Sequence, residues 1–594
     1  MRRAQSSFVA VLLAACATNP VRVEAVGLAE VVRTQQLSAY DGDALSGRTL
    51  ALLDRLGFPP GEHAAAVVRL ARPIVALADH ERLMARAELL YHLAERGEPA
   101  QRADRFLESA CDAARALGCR ADEAQPVFDP LRNRALERHG YALTRFLGTC
   151  LAEEPELAGL LRLLRERHRV DVDWRVDGPW ELTDFDRWHC ADTMAVAGLR
   201  HRYRRLGAGV PLVAERDAER GVTRYLTPEA VTRGFTAVLR PADGERYRGR
   251  LELLDPRRTH HVDAVPGLRV PLAAAFTAPL AWLPAQAQIH ALEDRSLFSS
   301  DVERREGLYL LEDYDPDRVP VVMVHGLWSS PLTWRDLTND VFGDETLHGR
   351  YQVWHYFYAT GTPLLENVRQ LRETLLQARS DLDPELDDPA TQRLVLVGHS
   401  MGGLLSRMAV SRTGDAIWNT VFEAPFDRVA PELQAEDRDM ASRLYFWEPL
   451  PFVDRVIFIA APHRGSGMAD DLIGRLGSTL MSVPRRLRDF VGRIRRFASM
   501  QVDLPTSVDE LSPSHPVMRA LSALPIGDGV VYHSIMGDAS GSADSADWTD
   551  GVVPYWSSRL DGAASEAVIP DADHAVHFDP RASAEVRRIL RAAR

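Results

Sequence analysis

Arg393 to Gly403 reads Arg-Leu-Val-Leu-Val-Gly-His-Ser-Met-Gly-Gly. Leu394 to Val397 is an unbroken apolar run, the mark of a short strand buried on both faces. Leu404, Leu405, Met408 and Ala409 then recur at helical spacing. The order is strand, tight turn, helix, with Ser400 at the apex. That context separates a nucleophile elbow from a chance G-x-S-x-G pentapeptide in a loop. A turn this sharp predicts strained dihedrals at Ser400. Gly398 and Gly402 are read as glycines because strand and helix approach too closely for a side chain. The helix N-terminus aims backbone N–H groups at the serine, where negative charge would develop.

Outward from this stretch, Val319–Val324 reads as a buried strand running into His325-Gly326-Leu327-Trp328. Tyr351–Tyr358 is the next strand and Leu364–Arg379 a helix. After the elbow come strands at Val453–Ala460, Val530–Met536 and Ala567–Ile569. Strands alternating with helices imply a mostly parallel sheet.

The order of these parts resembles the α/β-hydrolase fold, in its lipase and esterase branch. His-Gly follows one strand, Gly-His-Ser-Met-Gly-Gly another, and Pro462-His463-Arg464-Gly465-Ser466 the next. The last of these is similar to a segment of triacylglycerol lipases and of GPI inositol deacylase-like enzymes. The resemblance covers about half the chain, from about Pro320 onward. It implies Ser400 as nucleophile, activated by a histidine after the last strand, since a serine hydroxyl is a poor nucleophile at neutral pH. His574 comes first after that strand and is preferred, with His577 as the alternative base. Asp550, in Thr549-Asp550-Gly551-Val552-Val553-Pro554, resembles the family's acid segment. Asp544 and Asp547 lack the following Gly-Val-Val-Pro, and Asp470 is a weaker substitute. The order Ser, Asp, His agrees with the fold. By the same resemblance the backbone N–H groups of Leu327 and Met401 form the oxyanion hole. His325 is read as a loop-shaping residue and Arg464 as an arginine that fixes its own loop. No calcium-loop spacing is present, so neither metal nor cofactor is expected.

Two insertions interrupt the catalytic region. Residues 411–451 carry Trp418, Phe422, Phe426, Phe446 and Trp447. Residues 470–502 carry apolar residues at helical spacing and an arginine cluster from Arg485 to Arg496. The second reads equally as a lid that meets a lipid surface and as a cap helix with its polar face in water.

The chain is 594 residues long, with 46% hydrophobic and 26% charged residues, which calls for more than one domain. The expected division is a leader at 1–16, a mainly helical domain at 17–205, a small β-rich module at 206–300 and the α/β-hydrolase domain at 301–594. Net charge is −13, which excludes the basic field a nucleic-acid partner needs. Arg2 and Arg3 followed by an apolar stretch ending in Leu13-Ala14-Ala15-Cys16 form an export signal. Leu-Ala-Ala-Cys resembles the bacterial lipobox, which implies cleavage before Cys16, its lipidation, and a membrane-anchored lipoprotein. Ala17 in place of Asp resembles lipoproteins sent to the outer membrane of Gram-negative cells, which implies the outer membrane or periplasm in such a host. An ordinary cleaved signal with an incidental cysteine is the other reading.

In the front half, Gly47–Leu56, Glu81–Arg96 and Arg102–Leu117 read as helices, with Leu83, Ala87, Leu90 and Tyr91 as one apolar stripe. Phe235–Leu239, Tyr247–Leu254 and Leu268–Leu272 read as strands between turn signals. The helical part is either a structural support or a surface for a protein partner. Cys111, Cys119, Cys150 and Cys190 read equally as disulfide partners or buried thiols.

The expectation is a serine hydrolase of carboxylic esters, with lipid esters as the substrate class. The alternatives are an acyltransferase using the same acyl-enzyme and a catalytically silent envelope scaffold.

Overall fold

Seven strands build the sheet that carries the Ser400 turn. In the computed structural model their order is Gly307–Leu310, Tyr351–Phe357, Val319–Val324, Leu394–His399, Val453–Ile459, Val531–Asp538, Ser565–Pro570. The first strand is antiparallel to its neighbour and every other pair is parallel. The structure describes residues 21–25, 45–75, 77–119, 130–217, 224–227, 230–242, 249–286, 305–467, 485–502 and 507–593. The leader at 1–16 with Cys16, and Asp470 with most of the first half of the second insertion, lie outside them.

Helices on both faces explain why the central strands are apolar at successive positions. Val322, Val324 and Leu396 share a core with Val368, Leu371 and Leu375 of helix Leu364–Leu382 and with Leu404 and Leu405 of helix Met401–Ala409. On the opposite face Met323 meets Thr338 of helix Arg335–Gly343 (Oγ1 to Sδ 3.6 Å). That helix is tied to Pro580–Ala592 through Ser583 and Asp340 (2.7 Å). This is the α/β-hydrolase fold expected from the strand order. It places the C-terminal ends of the parallel strands, and the loops that follow them, where a site belongs.

The chain divides into two compact units. One comprises residues 1–19, 222–228 and 288–594; the other comprises 20–221 and 229–287. In the second unit, helices Asp79–Arg96 and Pro99–Gly118 are separated at Gly97, with Pro99 in the first turn of the latter. The stripe Leu83, Ala87, Leu90 and Tyr91 is buried as expected. A five-stranded sheet runs in the order Val170–Arg175, Gly249–Leu254, Ala230–Pro241, Val210–Asp217, Arg187–Cys190. Its outer strands come from within the expected helical domain, so the boundary set near 205 falls inside one unit. The reason is non-local pairing. Val170–Arg175 aligns residue for residue with Gly249–Leu254, which is bonded on its other edge to Ala230–Pro241.

Cys111, Cys119, Cys150 and Cys190 are free, with Cys119 alone exposed. Burial pushes the thiols of Cys111, Cys150 and Cys190 up to about 12, so they pack as small apolar groups. Among the described residues no helix is long and apolar enough to cross a membrane.

The described part of the second insertion is helix Arg485–Ile494. Its apolar side, Leu487, Phe490, Val491 and Ile494, is buried in the same core as Trp418 and Phe422 of the first insertion. Arg493 forms a two-pronged bond to Asp437 (2.8 and 2.7 Å). Of the two readings of this insertion, the described helix fits the packed cap.

Candidate active site

Ser400 sits between strand Leu394–His399 and helix Met401–Ala409 with φ 52° and ψ −125°, a conformation costly for a residue with a side chain. Its own N–H bonds to the Ile459 carbonyl of the next strand (2.9 Å), and its carbonyl takes the N–H of Gly403 (2.9 Å). These bonds hold the strain in place. The glycines around it are steric requirements. A Cβ at Gly402 would lie 2.3 Å from the carbonyl oxygens of both Val324 and His325, and one at Gly398 would lie 2.5 Å from the Gly402 carbonyl.

His574 reaches Ser400 from the loop after strand Ser565–Pro570. Its Nε2 lies 2.9 Å from Ser400 Oγ and its Nδ1 lies 2.8 Å from Asp550 Oδ2. A carboxylate only accepts, so Nδ1 carries the proton and Nε2 is left to accept the serine hydroxyl. The other carboxylate oxygen of Asp550 accepts the N–H groups of Val552 (2.8 Å) and Val553 (2.6 Å). Asp550 and His574 are both buried, which strengthens the electrostatics of the pair. Asp544 and Asp547 are exposed in the loop before Asp550, which leaves Asp550 as the acid that meets the imidazole.

The alternative base, His577, is not placed to act on Ser400. Its Nε2 bonds to Thr333 Oγ1 (2.5 Å), and its ring packs tilted against His399 with centroids 3.8 Å apart. Burial, then the nearby His574, then Arg335 push it down to about 3, so it is a neutral packing group at ordinary pH. Chain order favoured His574, and it is His574 that meets Ser400, while His577, three residues on, is bonded to Thr333.

His325 is fully buried and stacks on Tyr358 (centroids 4.5 Å), whose hydroxyl donates to the His325 carbonyl (2.8 Å). Burial pushes its imidazole down to about 4. It therefore shapes the loop, as expected, and presents Gly326 to the serine: a Cβ at Gly326 would lie 3.0 Å from Ser400 Cβ. The N–H groups of Leu327 and Met401 have no hydrogen-bond acceptor among the described residues. This is the condition an oxyanion donor must meet before substrate arrives.

Three residues near this chain escaped the sequence reading. His399 Nε2 donates to the His574 carbonyl (2.9 Å), joining the residue before the nucleophile to the base. Burial and the neighbouring His577 and His574 push His399 well below the usual imidazole range. Asp538, at the end of its strand, accepts from the N–H (2.9 Å) and hydroxyl (2.6 Å) of Ser540 and starts the acid loop. Thr333 fixes His577. The histidine inside Gly-His-Ser was the available signal for the first; the other two carry none.

Asp383, Asp387 and Asp388 are the one group of carboxylates among the described residues close enough to share a cation. Asp383 already accepts the N–H groups of Asp387 and Asp388 (both 3.1 Å), so the group builds its own turn.

Residues 321–586 match the alpha/beta hydrolase family, less than half of the chain. No curated protein matches. Among solved structures, the mature lipase of Bacillus licheniformis is 18% identical, covering 47% of this chain and 94% of its own, with a TM-score of 0.28. Lipase 1 of Pelosinus fermentans is 15% identical, covering 47% of this chain and 100% of its own, with a TM-score of 0.29. A thermophilic esterase of Thermogutta terrifontis with butyrate bound is 17% identical, covering 48% and 84%, with a TM-score of 0.25.

Proposed function

We propose that this chain is a serine hydrolase of carboxylic esters, with lipid esters as its substrate class. The observation that carries the reading is the unbroken hydrogen-bond chain from Ser400 Oγ through His574 to Asp550. Ser400 Oγ attacks the ester carbonyl as His574 Nε2 takes its proton. Negative charge then develops on the carbonyl oxygen, toward the N–H groups of Leu327 and Met401. Collapse expels the alcohol, protonated by His574, and leaves an acyl-enzyme on Ser400. Water, deprotonated by the same imidazole, releases the acid. Asp550 holds the imidazole in the required tautomer and stabilises its cationic form in both halves. The lipid part of the reading rests on the lipase-like segments Pro462–Ser466 and Asp550–Pro554.

The test is labelling with a fluorophosphonate probe beside turnover of a p-nitrophenyl ester series. Wild type labels and turns over; Ser400→Ala does neither. Long-chain preference supports a lipid ester and short-chain preference a small one. No labelling of folded wild type sinks the enzyme reading. An added alcohol that accepts the acyl group in place of water would convert the reading to acyl transfer.

The chain is exported and anchored through lipidated Cys16, on the sequence of its leader. Radiolabelled palmitate should enter wild type in a bacterial host and be absent from Cys16→Ser. Membrane-fraction protein without label would count against it.

A further inference from the structure

The segment Pro462–Ser466 takes no direct part in the chemistry above, yet it is bonded to both halves of the site. On one side, Arg407 of helix Met401–Ala409 donates to the His463 carbonyl (3.2 Å). On the other, the segment grips the loop that carries the acid. Arg464 donates through one guanidinium nitrogen to the carbonyls of Trp556 (2.8 Å) and Arg559 (2.6 Å). The Arg464 N–H donates to Ser557 Oγ (3.1 Å), and the Ser557 hydroxyl donates to the Gly465 carbonyl. Ser466 Oγ donates to the Val552 carbonyl.

The last bond matters most for the acid. Val552 offers its N–H to Asp550 Oδ1 (2.8 Å) and its carbonyl to Ser466, so one residue is held from both ends. The turn cannot rotate Asp550 away from His574 without breaking a bond to the segment. Gly465 completes the fit. It has φ 81°, and a Cβ there would lie 2.6 Å from the Leu511 carbonyl, whose oxygen takes the Ser466 N–H (2.9 Å). The segment therefore has a second anchor outside the acid loop.

We infer that Pro462–Ser466 is a positioning strap that sets Asp550 against His574, with Arg464 and Ser466 as its positioning residues. The inference rests on the triad reading above and assigns Arg464 no contact with substrate. One of its guanidinium nitrogens is taken up by two backbone carbonyls of the segment after the acid turn.

The experiment is a double-mutant cycle on the full chain, with kcat, KM and thermal unfolding measured for each variant. Arg464→Met should lower kcat about 10-fold with KM nearly unchanged. Ser466→Ala should do the same more weakly, with little loss of thermal stability, which separates positioning from misfolding. In an Asp550→Asn background, Arg464→Met should have no further effect on kcat. An equal loss in both backgrounds would overturn the strap. So would a raised KM for anionic esters with kcat unchanged, which would make Arg464 a substrate clamp. Full activity of Asp550→Asn alone would sink the triad reading itself, an outcome distinguishable from failure of the strap.

Discussion

Replacing Gly402 by alanine tests whether the close approach at the elbow is what aligns the oxyanion donors. The new Cβ would meet the Val324 and His325 carbonyl oxygens at 2.3 Å. An ordinary carbon–oxygen contact is about 3.3 Å, so the strand end and the helix must separate by about 1 Å. Both oxygens are backbone atoms, and His325 is pinned by Tyr358, so no side-chain rotation relieves the clash. The displacement falls between Leu327 and Met401, the two donors that must converge on one oxygen. A misplacement of about 1 Å costs about 100-fold in rate, or about 2.7 kcal/mol of transition-state stabilisation. Overpacking should add a stability loss of about 1–3 kcal/mol. The assay is kcat on a p-nitrophenyl ester, normalised by fluorophosphonate titration, beside urea unfolding. Gly492→Ala is the control: it lies in helix Arg485–Ile494 with open space around it and should gain about 0.5–1 kcal/mol with unchanged kcat. Gly402→Ala that folds and keeps kcat within about 3-fold of wild type would refute the reasoning.

Asp550→Asn should lower kcat about 10⁴-fold with Ser400 still in place, while His577→Gln, which keeps a partner for Thr333, should cost only a few-fold; the reverse ranking in steady-state assays would exchange the two roles. His355 and His577 are both pushed down to about 3, chiefly by burial. The unfolded chain protonates them below about 6.5 and the fold does not, so their contribution is whole above pH 6.5 and lost as pH falls toward 3. Each ring should cost up to about 1.4 kcal/mol per pH unit in that window. Urea midpoints between pH 7.5 and 5 should show the slope, and His355→Gln should reduce it. Glu510 has the opposite sign. Its buried carboxyl, which accepts the Leu364 N–H, is pushed up to about 8 by burial. The unfolded carboxyl ionises near 4.5, so the burden on the fold grows as pH rises from 4.5 to 8. Glu510→Gln keeps the acceptor and should stabilise by about 1–3 kcal/mol at pH 8 and by little at pH 5. A Glu510→Gln gain of the same size at the two pH values would count against it.

What was legible in the chain was what is written locally. The elbow occupies eleven consecutive residues, and its apolar run, glycines and helical spacing are each set by neighbours within one turn. Asp550 was legible through the resemblance of Asp550–Pro554 to the acid segment of lipases, and the two valines of that turn feed N–H groups to its carboxylate. What was not legible depends on partners far away in the chain. Val170–Arg175, written Val-Asp-Val-Asp-Trp-Arg, alternates as a half-buried strand should, but only its pairing with Gly249–Leu254, far along the chain, puts it in the same sheet as the β-rich segments. Chain order favoured His574 over His577, but what occupies His577 was not legible: its partner, Thr333, lies 244 positions away.

The same division explains how the site is built. Ser400, Asp550 and His574 stand on three separate loops, and none of the three sets its own position. Ser400 is fixed by the Ile459 carbonyl, His574 by His399, and the Asp550 turn by Ser466. Two of those three supports are side chains next to a motif, one inside Gly-His-Ser and one closing Pro-His-Arg-Gly-Ser. A site assembled from loops needs a bond across each gap, because loop closure leaves several directions of freedom that a reactive geometry of about 3 Å cannot tolerate. The histidine and serine within the two motifs therefore have a physical reason to be there that is separate from the chemistry of the serine itself.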